Sequence, residues 1–133
     1  KLRTGTPALL PALTLLTELN VLASSGEGGE LRAAVERARR ITSTLIAQAV
    51  ERATARGLRV RGPDTVERRA AFFAIEANDG PMALELLAED GIVADFRADE
   101  PGGRKGLIRL SASPAHFGYE LAFVIERLAV AAE

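Results

Sequence analysis

"RRAAFFAIEANDGPMALELLAEDGIVADFR", residues 68–97, changes its periodicity twice, and those changes decide the fold. Over 69–77 the apolar residues alternate. Ala71, Phe73 and Ile75 fall on one face and Phe72 and Ala74 on the other, the period-2 signature of a strand. From Asn78 the spacing turns helical for about ten residues. Asp79 or Gly80 stands near the cap, Pro81 begins the helix where its missing N–H loses no partner, and Gly91 ends it. "IVADF" (92–96) then returns to a strand.

Outward from this stretch, "LRVR" (58–61) reads as a short strand before Gly62-Pro63. "LIRLS" (107–111) is a strand beyond the loop "RADEPGGRKG" (97–106). A last helix, about 117–132, buries Leu121, Ile125, Leu128 and Ala132. The order β-β-α-β-β-α suits a small α/β (α+β) domain with a mixed or mostly antiparallel sheet. Upstream, from Glu30 to Arg56, apolar residues recur at Leu31, Val35, Ala38, Ile41, Leu45, Ala49 and Ala53, with Gly57 as the stop. That helix would be roughly 40 Å long, more than a small domain needs, so it suits a bridge between domains. Residues 7–24 form another helix, capped by Thr6 and started by Pro7, with a kink expected at Pro11. Its run Ala8–Leu16 is apolar on every side and is expected to pack against parts outside this chain. "SSGEGG" (24–29) is the loop between the two N-terminal helices. The division is therefore 1–57, two helices of which one is long, and 58–133, a small C-terminal domain.

At 133 residues and 47% hydrophobic, the chain fills about one ordinary domain. A net charge of −1 with 26% charged residues leaves no electrostatic footprint for nucleic acid or an anionic membrane. With no cysteine, disulfides, zinc ribbons and thiol nucleophiles are excluded, and with His116 as the one histidine an all-protein metal cluster is not expected. Thr14, Thr17, Glu18 and Asn20 interrupt the first apolar run too soon for a membrane span, and no secretory signal is visible, so the expected location is cytoplasmic.

Two segments could carry chemistry. "RTGTP" (3–7) sets Gly5 and the hydroxyls of Thr4 and Thr6 at a helix N-terminus, which favours a phosphate or carboxylate; alternatively Thr6 only caps its helix. In "LIRLS" alternation puts Ile108 and Leu110 on one face and Leu107, Arg109 and Ser111 on the other. An arginine in mid-strand must meet a carboxylate or water. Its planar fork suits two-pronged capture of a substrate carboxylate, and a structural ion pair with Asp95 or Glu76 is the alternative. "ADFRADE" (94–100) reads as a solvated loop and "EPGGRKG" as a turn. His116 has no serine or cysteine nearby to activate.

Taken in order, "RTGTP" with its apolar helix, the long helix, residues 68–97 and "IRLS" resemble the C-terminal third of class V pyridoxal-phosphate enzymes, of fold-type I. These include kynureninases, cysteine desulfurases and related aminotransferases. "GIVADFR" (91–97) is similar to a kynureninase pattern, as is the spacing from Arg109 to Pro114. The resemblance implies that Gly5 and Thr6 contact the cofactor phosphate of a neighbouring subunit and that Arg109 holds the α-carboxylate of an amino-acid substrate. It implies a pyridoxal 5'-phosphate enzyme, a homodimer, with the rest of the cofactor domain upstream. The lysine that carries the cofactor would also lie upstream, since neither Lys1 nor Lys105 sits in its context; no catalytic residue is assigned here and the isolated chain is expected to be inactive. A kynureninase-like hydrolytic carbon–carbon cleavage is the best match, with a desulfurase, C–S lyase or aminotransferase next, and a non-catalytic ligand-binding or dimerisation domain as the other class. Two departures stand out: His116 in "SPAH" replaces the tyrosine of a Pro-x-Tyr segment that goes with a kynurenine-like substrate, and the loop between Arg97 and Leu107 is longer.

Overall fold

The structure, a computed structural model, describes residues 17, 20, 21, 23, 24, 30–63, 65, 68–113 and 118–132. Two compact units are present, Lys1–Arg39 and Arg40–Glu133. In the first, Thr17, Asn20, Val21, Ala23 and Ser24 are helical. Of the helix expected over 7–24, residues 7–16, with the kink expected at Pro11, lie outside the described residues.

The long helix, α1, spans Leu31–Ala55. Its C-terminus follows from Gly57, whose φ of 76° suits a residue without a Cβ. The Gly57 N–H reaches the Thr54 carbonyl at 2.9 Å and the Leu58 N–H the Ala53 carbonyl at 3.0 Å, the paired bonds of a Schellman cap. The second helix, α2 (Gly80–Glu89), uses the same device. Gly91 has φ 74°, and the N–H groups of Gly91 and Ile92 bond to Ala88 and Leu87. At its start the Asp79 carboxylate accepts from the Met82 N–H at 3.1 Å, and Pro81 follows. The third helix, α3, spans Gly118–Ala131.

Four strands, β1 (Val60–Arg61), β2 (Phe72–Ala77), β3 (Asp95–Ala98) and β4 (Gly106–Ser111), form one sheet in the order β1-β2-β4-β3. Every pairing is antiparallel, so the expected sheet, mixed or mostly antiparallel, is antiparallel throughout. One face is apolar: Phe73 and Ile75 of β2 and Ile108 and Leu110 of β4 are buried. They share a core with Ile46, Ala49 and Ala53 of α1, Ala83 and Leu87 of α2, and Leu121, Val124, Ile125 and Leu128 of α3. Alternation is the cause. The same period sends Phe72, Arg109 and Ser111 to the other face, where they are exposed.

The strand expected over 69–77 begins at Phe72, and three further expectations change. The apolar stripe of α1 was expected to include Leu31, Val35 and Ile41, and all three are exposed, whereas Thr42 and Ile46 are buried. The helix carries apolar residues on two faces, and the face bearing Ile46, Ala49 and Ala53 belongs to the core. The strand expected over 92–96 begins instead at Asp95. Ile92 closes the cap of α2 and Val93 is 98% exposed, so neither enters the ladder. Ala132, expected to be buried, lies past the last turn of α3 and is exposed.

No helix among the described residues is long and apolar enough to cross a membrane, and no described cluster of acids, histidines or cysteines could hold a metal.

Candidate carboxylate-binding site

Arg109 stands in the middle of β4, between β2 and β3. Its Cα partners are Ala74 on one side and Asp95 on the other. Directly opposed residues in an antiparallel pair bring their Cβ atoms within about 5 Å, so register alone delivers Asp95 to Arg109. Nη2 of Arg109 lies 2.9 Å from Oδ2 of Asp95. The same oxygen accepts from Nε of Arg97 at 3.1 Å. On its other side the guanidinium carbon of Arg109 sits 5.6 Å from the ring centroid of Phe72, within cation–π range.

The charge balance of this face is informative. Asp95 is shared by Arg97 and Arg109, and Glu76 by Arg59 and Arg61. Each carboxylate serves two cations, so four arginines stand against two acids on this face of the sheet. The Arg109 side chain keeps 45% of its surface exposed, so the pair with Asp95 does not close it off. Arg109 and Asp95 open onto a cleft of about 600 Å³, lined also by Ile92, Leu110, Glu120 and Val124. It lies where β3 begins, β4 ends and α3 starts.

Two glycines set the distances that make the site. A Cβ at Gly106 would meet the backbone of Arg97 and Ala98, so only glycine lets β4 approach β3 this closely. A Cβ at Gly80 would enter the ring of Phe96, which follows Asp95 on β3. The β3–β4 turn is tied to the start of α2. Arg104 donates to Asp79 through Nε at 2.8 Å and through Nη2, and the Gly80 N–H bonds to the Arg104 carbonyl at 2.7 Å. The Arg104 hydrogen bond, followed by that from the Met82 N–H, holds the Asp79 carboxyl below its usual range.

Of the two ion pairs offered as alternatives for Arg109, the structure contains the one with Asp95. Glu76 lies opposite Leu107 and serves Arg59 and Arg61 instead. Gly5, Thr6, Pro114 and His116 lie outside the described residues. Lys105 is exposed in the β3–β4 turn and is absent from the lining of the Arg109 cleft. Phe72 is the partner that sequence reading missed. Its signal was present, because alternation had already set Phe72 on the face opposite Phe73.

A one-layer antiparallel sheet, with helices on one face and a cationic opposite face, defines a small α/β domain. Solved structures share the fold. A "NifS-like protein" superposes with a TM-score of 0.59 at 20% identity, over 77% of this chain and 32% of that one. A structure titled "SPT with PLP" gives 0.61 at 17% identity, over 77% and 27%. The 8-amino-7-oxononanoate synthase of Francisella tularensis gives 0.56 at 15% identity, over 94% and 39%. This chain thus spans between 27% and 39% of the length of these structures. The family model described as "Kynureninase C-terminal domain" matches residues 31–122, and the chain belongs to that family. No curated protein matches it in sequence. The kinship expected from "GIVADFR" and "IRLS" is borne out.

Proposed function

We propose that this chain is the substrate-carboxylate-binding C-terminal part of a pyridoxal-phosphate-dependent enzyme acting on an amino acid. The observation that carries the reading is Arg109: a half-exposed guanidinium at a cleft, on a sheet face with excess positive charge, in a kynureninase C-terminal domain. Residues 1–57 are read as the end of the large cofactor domain with its linking helices, and 58–133 as the small domain. The complete protein is read as a cytoplasmic homodimer in which Gly5 and Thr6 donate to the cofactor phosphate across the subunit boundary.

A pyridoxal-phosphate enzyme needs a lysine to carry the cofactor and a group to hold the substrate. Lys105 does not fit as its attachment point, since it is exposed on a turn and its own carbonyl accepts from the Asp99 N–H at 2.9 Å. What fits is the substrate end. When bound, the cofactor would supply an electron sink for bond cleavage at or one carbon beyond the amino-acid Cα. The part played by this chain is to bind the α-carboxylate through the Arg109 fork and so fix which bond faces the chemistry. In the kynureninase-like reaction the bond between Cβ and a side-chain carbonyl carbon breaks. Water's oxygen ends on that carbon as a carboxylic acid and a proton ends on Cβ, giving alanine.

Product analysis tests the reaction. The complete protein with pyridoxal 5'-phosphate is offered L-kynurenine, L-cysteine, or an amino acid with a 2-oxo acid. Release of alanine from L-kynurenine supports the hydrolytic reading. Sulfur release or amino transfer would reassign it to a desulfurase, C–S lyase or aminotransferase. Absence of both turnover and a cofactor spectrum would make this a ligand-binding or dimerisation domain.

A further inference from the structure

We infer that Asp95 and Phe72 are positioning residues: together they hold the Arg109 guanidinium in the orientation that receives a substrate carboxylate. The inference rests on the reading of Arg109 as the carboxylate-binding group. A guanidinium at the end of a long side chain samples many rotamers, and ordering it at the moment of binding would weaken the complex. Here that order already exists. Asp95 holds Nη2 at 2.9 Å from the directly opposed position of β3, and the ring of Phe72 faces the guanidinium carbon at 5.6 Å. The guanidinium is thereby held at one nitrogen by Asp95 and has its central carbon over the Phe72 ring.

Asp95 is suited to this task rather than to neutralising the arginine. Its Oδ2 is shared with Arg97 at 3.1 Å, so one carboxylate is divided between two cations and the cluster stays positive. A substrate carboxylate can therefore join the cluster without first displacing Asp95. The backbone fixes the arrangement too: Asp95 begins β3 immediately before Phe96, whose ring is confined by Gly80, and Phe72 begins β2 opposite Ser111. Asp95 and Phe72 touch the arginine and are not assigned contacts with the reacting atoms.

The test uses Asp95→Asn, Asp95→Glu and Phe72→Leu in the complete enzyme, with Arg109→Lys alongside. The first readout is rotation of the Arg109 guanidinium, followed by NMR of arginine-labelled protein. The second is KM and kcat for an amino-acid substrate and its decarboxylated amine. Asp95→Asn is expected to speed the rotation and raise KM for the amino acid about tenfold, with kcat and the amine nearly unchanged. Asp95→Glu keeps the charge and is expected to recover most of the loss, while Phe72→Leu moves the same readouts in the same direction by a smaller factor. Unchanged or slower rotation, or an unchanged or lower KM in Asp95→Asn, would overturn the inference. If Asp95→Asn fails to fold, the same criteria apply to Phe72→Leu. Failure of the underlying reading looks different: Arg109→Lys itself would then leave the preference for amino acid over amine intact.

Discussion

Alanine at position 80 puts a methyl group where the Phe96 ring now lies. Gly80 is buried as the first residue of α2, and the atoms a Cβ would meet are ring carbons of Phe96. That ring cannot simply swing into water, because Phe96 packs against the core and is paired with fully buried Ile108. Overpacking of this kind costs about 1–3 kcal/mol. The better helix propensity of alanine returns at most about 1 kcal/mol, and less at a first helical position than in an interior. A net loss of about 1–2 kcal/mol is expected, read as a lower urea midpoint in far-UV circular dichroism with an unchanged slope. Phe96→Leu destabilises on its own by emptying volume. In the double variant the clash is relieved, so the two losses add to less than their sum by about 1 kcal/mol. Strict additivity, or a Gly80→Ala protein as stable as the parent, would refute the claim that Gly80 is required by the approach of β3 to α2.

Gly106→Ala is expected to cost more than Gly80→Ala, because its Cβ would meet backbone of Arg97 and Ala98 that no rotamer change can move; faster amide exchange across β3–β4 checks this, and normal protection there would contradict it. Lowering the pH is expected to destabilise the fold through Asp79 and Glu126, whose pKa values lie below the ordinary 3.8 and 4.5 because of hydrogen bonds from Arg104 and from Arg52, the latter joined by Arg56. The folded-state pKa is the depressed one, so the contribution is full above the ordinary values and is lost as the pH falls through the lowered ones. Arg104→Gln should flatten the part due to Asp79, and an unchanged pH profile of thermal unfolding in that variant would remove the argument. Thr6→Val in the complete enzyme is expected to weaken cofactor affinity by about 1–3 kcal/mol, as for a hydrogen bond to a charged group; lower thermal stability with unchanged affinity would leave Thr6 a helix cap only.

Features that depend on local order were legible in the sequence. Phe73, Ile75, Ile108 and Leu110 are buried where alternation set them, and Asp79, Pro81 and Gly91 bound α2 as their chemistry requires. The outward direction of Arg109 followed from the same alternation. What the sequence left open depends on pairing between distant segments. Asp95 and Glu76 were equal candidates to meet Arg109 until the register placed one opposite it and the other opposite Leu107. The buried face of α1 was ambiguous for a similar reason: Ile41 and Ile46 are both apolar, and only the position of the core selects Ile46. Phe72 reaches Arg109 diagonally from the neighbouring strand, a contact that no spacing within one segment announces.

The most direct test of the central claim is the response of Arg109→Lys to two substrates of the complete enzyme, an amino acid and its decarboxylated amine. Lysine keeps the charge and loses the fork, so the account predicts a fall of about 100-fold or more in kcat/KM for the amino acid, little change for the amine, and unchanged cofactor affinity. An equal loss with both substrates, or no loss with either, would contradict the assignment of Arg109 to the substrate carboxylate.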